Sequence, residues 1–142
     1  MKQEMEVLYM NYDYDDFKPS QEYIERKKNV KIYCKLVRDK IPEITESEEN
    51  LICNCKNLSG TNLIVRLIDK LYEEVGEFRS SLELEEIADI IEVCYALVRE
   101  TGNTLEALEA VRKKKAEVKG AFNNGVYLVC TDKKNKENIN EA

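Results

Sequence analysis

The chain has 142 residues, 35% of them charged, with only five glycines and two prolines. That length holds one domain with a sizeable core, and that composition favours long amphipathic helices over a turn-rich sandwich or barrel. A net charge of −6 with no histidine weighs against wrapping nucleic acid, which needs Lys and Arg on phosphates, and excludes serine–histidine and cysteine–histidine nucleophile pairs, so any catalysis uses carboxylates, lysines, tyrosines or metal-bound water.

Residues 1–32 are rich in tyrosine and acids (YMNYDYDDF) and then turn basic (ERKKNVK) with weak periodicity. They form an N-terminal appendage, either an ordered arm or a mobile tail. In KLVRDKIPEI, residues 35–44, apolar Leu36, Val37, Ile41 and Ile44 predict a short helix or turn entering the core, with Pro42 breaking regularity. Residues 45–60 read as a loop, with a possible short strand at Leu51–Cys53.

From Asn62 the pattern changes. Ile64, Leu67, Ile68, Leu71, Val75 and Phe78 recur at steps of three and four, which predicts a helix to about Arg79. Ser80 precedes Glu83 by three, a capping-box spacing, and Ile87, Ile90, Ile91, Cys94, Leu97 and Val98 form a second stripe that should stop near Gly102. Asn103 with Glu106 opens a third helix through a lysine-rich stretch to Lys119, before Gly120. Val126–Val129 reads as a short extended piece, and residues 130–142 as a charged, disordered tail.

No apolar run approaches the ~20 residues that span a bilayer, and the first ten residues, MKQEMEVLYM, lack the order of a secretory signal. A soluble cytoplasmic protein without a membrane partner is expected. The odd number of cysteines, five, argues for reduced thiols over a disulfide framework. Cys53 and Cys55 lack the further ligands that a structural zinc needs.

The chemistry-bearing residues sit on the two striped helices. At ~100° per residue, Glu74 lies about 60° from the centre of the first stripe and Glu77 about 60° further in the same sense. Glu86 and Asp89 lie about 75° and 135° from the second stripe's centre, again in the same sense. A short connection makes the helices antiparallel neighbours, so same-sense flanks meet along one edge and four carboxylates face one volume. Such a cluster is unfavourable unless protons or cations neutralise it. All-oxygen ligation suits Mg²⁺, Mn²⁺ or Ca²⁺, and Mg²⁺ commonly takes its remaining ligands from substrate phosphates. The alternative is a solvated face of two charged helices, which accounts for Glu83, Glu85, Glu92, Glu106 and Glu109.

The motif order resembles the all-helical NTP pyrophosphohydrolase superfamily, the MazG-like and phosphoribosyl-ATP pyrophosphohydrolase-like proteins. Glu73, Glu74 and Glu77 stand for its Glu-Glu-x-x-Glu, and Glu86 and Asp89 for its Glu-x-x-Asp. KLVRDKIPEI, EEIADIIEVCYAL and KKKAEVKGAFNNGVYL extend the likeness over residues 33–129. The resemblance implies an all-α antiparallel helical bundle completed by oligomerisation into a homodimer or homotetramer. It implies Mg²⁺, with Mn²⁺ as a possible substitute, held by Glu74, Glu77, Glu86 and Asp89, and Glu73 or Glu77 as the acid or base. The implied reaction cleaves a nucleotide between its α and β phosphates, to a monophosphate and pyrophosphate. Arg38 and Lys40 in the front block, and Lys115 and Lys119 one turn apart at the back, are candidate substrate contacts. Lys119-Gly120-Ala121-Phe122 stands where the family tends to have Arg-Gly-Gly-Phe, a departure that counts against an arginine-type bidentate phosphate grip and leaves Lys119 as a point charge, and Phe122 is expected in the core. The alternatives are a non-catalytic nucleotide- or metal-binding regulatory module on the same scaffold, and the phosphoribosyl-ATP pyrophosphohydrolase of histidine biosynthesis.

Overall fold

The structure is a computed structural model that describes residues 12–13, 18–27 and 29–131. Most of the appendage and the tail from residue 132 lie outside the described residues. Among those described, all regular structure is helical: α1 (Gln21–Arg26), α2 (Ile41–Glu49), α3 (Gly60–Ser81), α4 (Leu84–Glu100) and α5 (Leu105–Lys119). None of these helices is long and apolar enough to cross a membrane. The chain divides into two units, Met1–Leu105 and Glu106–Ala142.

Within the first unit, Ser20 caps α1 by accepting the Tyr23 N–H at 3.2 Å. α2 corrects two expectations. Pro42 sits in its first turn, where a missing N–H costs nothing, and the helix runs on to Glu49 inside the segment read as loop. Asn50 ends it in the left-handed region at φ 53°. Leu51–Cys53 forms no strand; the Cys53 N–H donates to the Glu46 carboxylate at 2.8 Å.

α3 and α4 pack on each other and are joined by only Leu82 and Glu83, so they form a helical hairpin. The expected capping box is not made. α3 continues to Ser81, the Ser80 hydroxyl donates to the Gly76 carbonyl at 3.1 Å, and Glu83 itself precedes α4 without a side-chain cap. Leu82 turns the chain at φ 58°. α4 ends where expected: Gly102 at φ 75° and the N–H of Asn103 on the Val98 carbonyl at 3.0 Å close its last turn.

Among the described residues, the buried side chains are Val65 (0% exposed), Leu67, Val93 and Glu74. Leu67 belongs to the predicted stripe, but Val75, Ile87 and Ile91 of the two stripes are exposed, and Val65 lies ~160° around α3 from Leu67. The first half of α3 is therefore covered on more than one side. The Tyr12 ring lies 5.3 Å from the guanidinium carbon of Arg66 on that helix.

The second unit holds most of α5, which stops at Gly120 with φ 80°. Phe122 is 99% exposed, contrary to the core position expected of it. Val126–Val129 is exposed and joins no strand. Cys34, Cys53, Cys55, Cys94 and Cys130 are free thiols.

Candidate metal centre

Three of the four expected ligands meet. Glu74 on α3 and Glu86 and Asp89 on α4 each present a carboxylate oxygen, and these oxygens all lie within 4.8 Å of one another. Spacing is the cause: a step of three from Glu86 to Asp89 places both on one flank of α4, level with Glu74 across the hairpin. Glu77, one turn further along α3, is exposed and lies outside the group. Its charge still acts there, as one of the charges that raise Glu86.

Glu74 is the centre of the arrangement. It is only 3% exposed, its Oε1 lies 2.7 Å from the Lys70 ammonium, and its Oε2 is buried with no hydrogen-bond partner. A buried, unpaired carboxylate oxygen is costly. One that belongs to a carboxylate grouped with two others is suited to a cation.

Two cationic side chains that sequence reasoning did not join to the cluster now border it. Lys70 bridges Glu73 at 2.9 Å and Glu74 at 2.7 Å, and Lys35 reaches Glu73 at 3.4 Å. Lys70 had a readable signal, since three and four residues separate it from the two acids on one helix. Arg38, expected at substrate, donates instead to Asp89; no local pattern shows this, because 51 residues separate the pair. Lys40 is exposed, and its carbonyl accepts the Ile44 N–H at the start of α2. Lys115 and Lys119 lie exposed on α5, outside the hairpin that carries the carboxylates.

The electrostatics follow from these neighbours. Burial pushes the Glu86 carboxyl up, and the charges of Glu77, Glu74, Asp89 and Glu83 push it further, above the ordinary 4.5. Burial also pushes Glu73 up, but the hydrogen bond and charge of Lys70, with Lys35, outweigh it and hold Glu73 below 4.5. The hydrogen bonds that Lys70 donates to Glu74 and Glu73, with the charges of those acids, outweigh burial and raise its pKa.

The raised Glu86 has a consequence for stability. Its carboxylate is less welcome in the folded than in the unfolded chain, so it lowers stability above its folded pKa. That loss is recovered as pH falls through the raised pKa towards 4.5. In EDTA, Glu86→Gln is therefore expected to melt above the wild type at pH 7.5, with the gap closing near pH 4.5 in paired thermal melts. A gap independent of pH would contradict the assignment.

Arg38 and a cation would compete for Asp89. Arg38→Gln is expected to tighten Mn²⁺ binding by about two- to fivefold in calorimetry, the worth of a partly exposed ion pair. Weaker binding would show that the guanidinium supports the site.

No family model matches the chain, and no curated protein or solved structure does so either.

Proposed function

We propose that the protein is a Mg²⁺-dependent nucleotide pyrophosphohydrolase, a MazG-like all-helical enzyme that cleaves a nucleoside triphosphate or related nucleotide between the α and β phosphates. The observation that carries the reading is Glu74, whose Oε2 is buried and unpartnered, in a group with Glu86 and Asp89. These three acids would hold Mg²⁺ or Mn²⁺, hard ions that take oxygen ligands. When bound, the ion supplies neutralisation of phosphate charge and activation of water.

The chain's own residues divide the remaining work. Glu73, clamped by Lys70 and Lys35 and held low, is a poor proton acceptor and serves to orient its neighbours. Glu77, exposed beside the group, is the better candidate to receive the proton of the attacking water. Arg38, once off Asp89, would be free to meet a phosphate, and Lys40 is a further candidate cation of the same unit. The exposed apolar residues of the hairpin, Val75, Ile87 and Ile91, support assembly into a homodimer or homotetramer that completes the bundle. A cytoplasmic location goes with a nucleotide substrate.

Purified protein mixed with Mg²⁺ and a panel of nucleoside triphosphates, with phosphoribosyl-ATP included, should release pyrophosphate in a manner that depends on Glu74 and Glu86. A panel without such release defeats the proposal. One observation favours a second reading, a non-catalytic regulatory module: Lys70 and Arg38 already compensate Glu74 and Asp89 from within the chain. Nucleotide binding in calorimetry without turnover would select it.

A further inference from the structure

Glu74 meets its surroundings asymmetrically. Its Oε1 is held by the Lys70 ammonium at 2.7 Å, and the same ammonium is anchored by Glu73 at 2.9 Å. Lys70 is itself well covered, its side chain 18% exposed. Only Oε2 is left without a partner. A carboxylate with one oxygen engaged by a fixed ammonium is disfavoured from chelating an ion through both oxygens, because that oxygen has a lone pair taken and a positive charge beside it. It can offer one.

That distinction separates the hard divalent ions. Mg²⁺ takes near-octahedral ligands at about 2.0–2.1 Å, one oxygen per carboxylate, whereas Ca²⁺ takes six to eight ligands at about 2.3–2.6 Å and often gains them from two-oxygen carboxylates. We propose that Lys70 is a specificity-determining residue of the metal centre: by holding Glu74 Oε1 it restricts Glu74 to one-oxygen ligation and sets the site for Mg²⁺-sized ions against Ca²⁺. This inference rests on the reading of Glu74, Glu86 and Asp89 as a cation site and goes beyond it, since neither the acids nor their spacing distinguishes the two ions.

Lys70 also acts through its charge, which disfavours any nearby cation. Mg²⁺ and Ca²⁺ carry the same charge, so that effect cancels in the ratio of their affinities, whereas the blocked oxygen does not. The test is calorimetric titration of the full chain, free of nucleotide, with MgCl₂ and separately with CaCl₂, for wild type, Lys70→Met and Lys70→Arg. Wild type is expected to bind Mg²⁺ more tightly than Ca²⁺. In Lys70→Met the ratio of Ca²⁺ to Mg²⁺ affinity should rise by about five- to tenfold, while Lys70→Arg, which keeps a cationic donor, should stay within about threefold of wild type.

Equal tightening of both ions in Lys70→Met would overturn the inference while leaving the metal centre standing, because Lys70 would then be a charge only. Wild type preferring Ca²⁺ would overturn it without recourse to any variant, which covers the case of Lys70→Met failing to fold. Binding of neither ion to wild type or variants would overturn the metal centre itself, and this role with it.

Discussion

Glu74→Gln is expected to lose divalent-cation binding by at least about a hundredfold, and pyrophosphate release with it. Gln matches Glu in shape, so the effect isolates chemistry from packing. Lys70 is a donor and will keep the amide oxygen. The amide NH₂ then takes the place of the buried Oε2, turning an acceptor that suits a cation into a donor on a side chain grouped with Glu86 and Asp89. Those carboxylates can accept its hydrogen bonds, so the variant should keep its helical circular dichroism. Mn²⁺ titration alongside a pyrophosphate-release assay checks both parts. Binding within threefold of wild type would show that Glu74 is a structural partner of Lys70 and no ligand.

Leu67→Ala should give the largest loss of stability, about 2–5 kcal/mol for a buried leucine cut to alanine. Leu67 is 4% exposed on the face of α3 that also carries Glu74, seven residues on. The fully buried side chains of the described residues are few, so little nearby apolar mass can shift to close the cavity. Against a typical folding free energy of about 5–15 kcal/mol, that loss is a large fraction. Ile52→Ala, at a position 88% exposed, should change stability by less than about 0.5 kcal/mol. Urea unfolding of the three proteins checks the difference, and similar midpoints would contradict the burial described here.

The legible part of the fold was the part written in local periodicity. The stripes placed α3 and α4, and Gly102 and Gly120 placed the ends of α4 and α5. The capping signal at Ser80 and Glu83 misled because a serine near a helix end can equally bond back to the preceding turn, as Ser80 does with Gly76. Pro42 misled for a related reason, since proline opens a helix as readily as it interrupts one. Val65 was not legible, because its burial comes from cover on a second side of α3, and helical periodicity shows one face at a time.

The candidate site divides in the same way. Rotational position brought Glu74, Glu86 and Asp89 to one edge, but it does not separate Glu77, about 120° from its stripe's centre and exposed, from Asp89, about 135° from its own and inside the group. What the sequence by itself determined is this edge and the charge it gathers, because positions three and four apart on a helix are neighbours whatever else the chain does. Only the tertiary structure decided that Glu74 is buried with one oxygen held by Lys70 and the other free, and that Arg38 and Lys35 close on the cluster. Burial and long-range ion pairs depend on which surfaces the fold covers, and no local spacing encodes that.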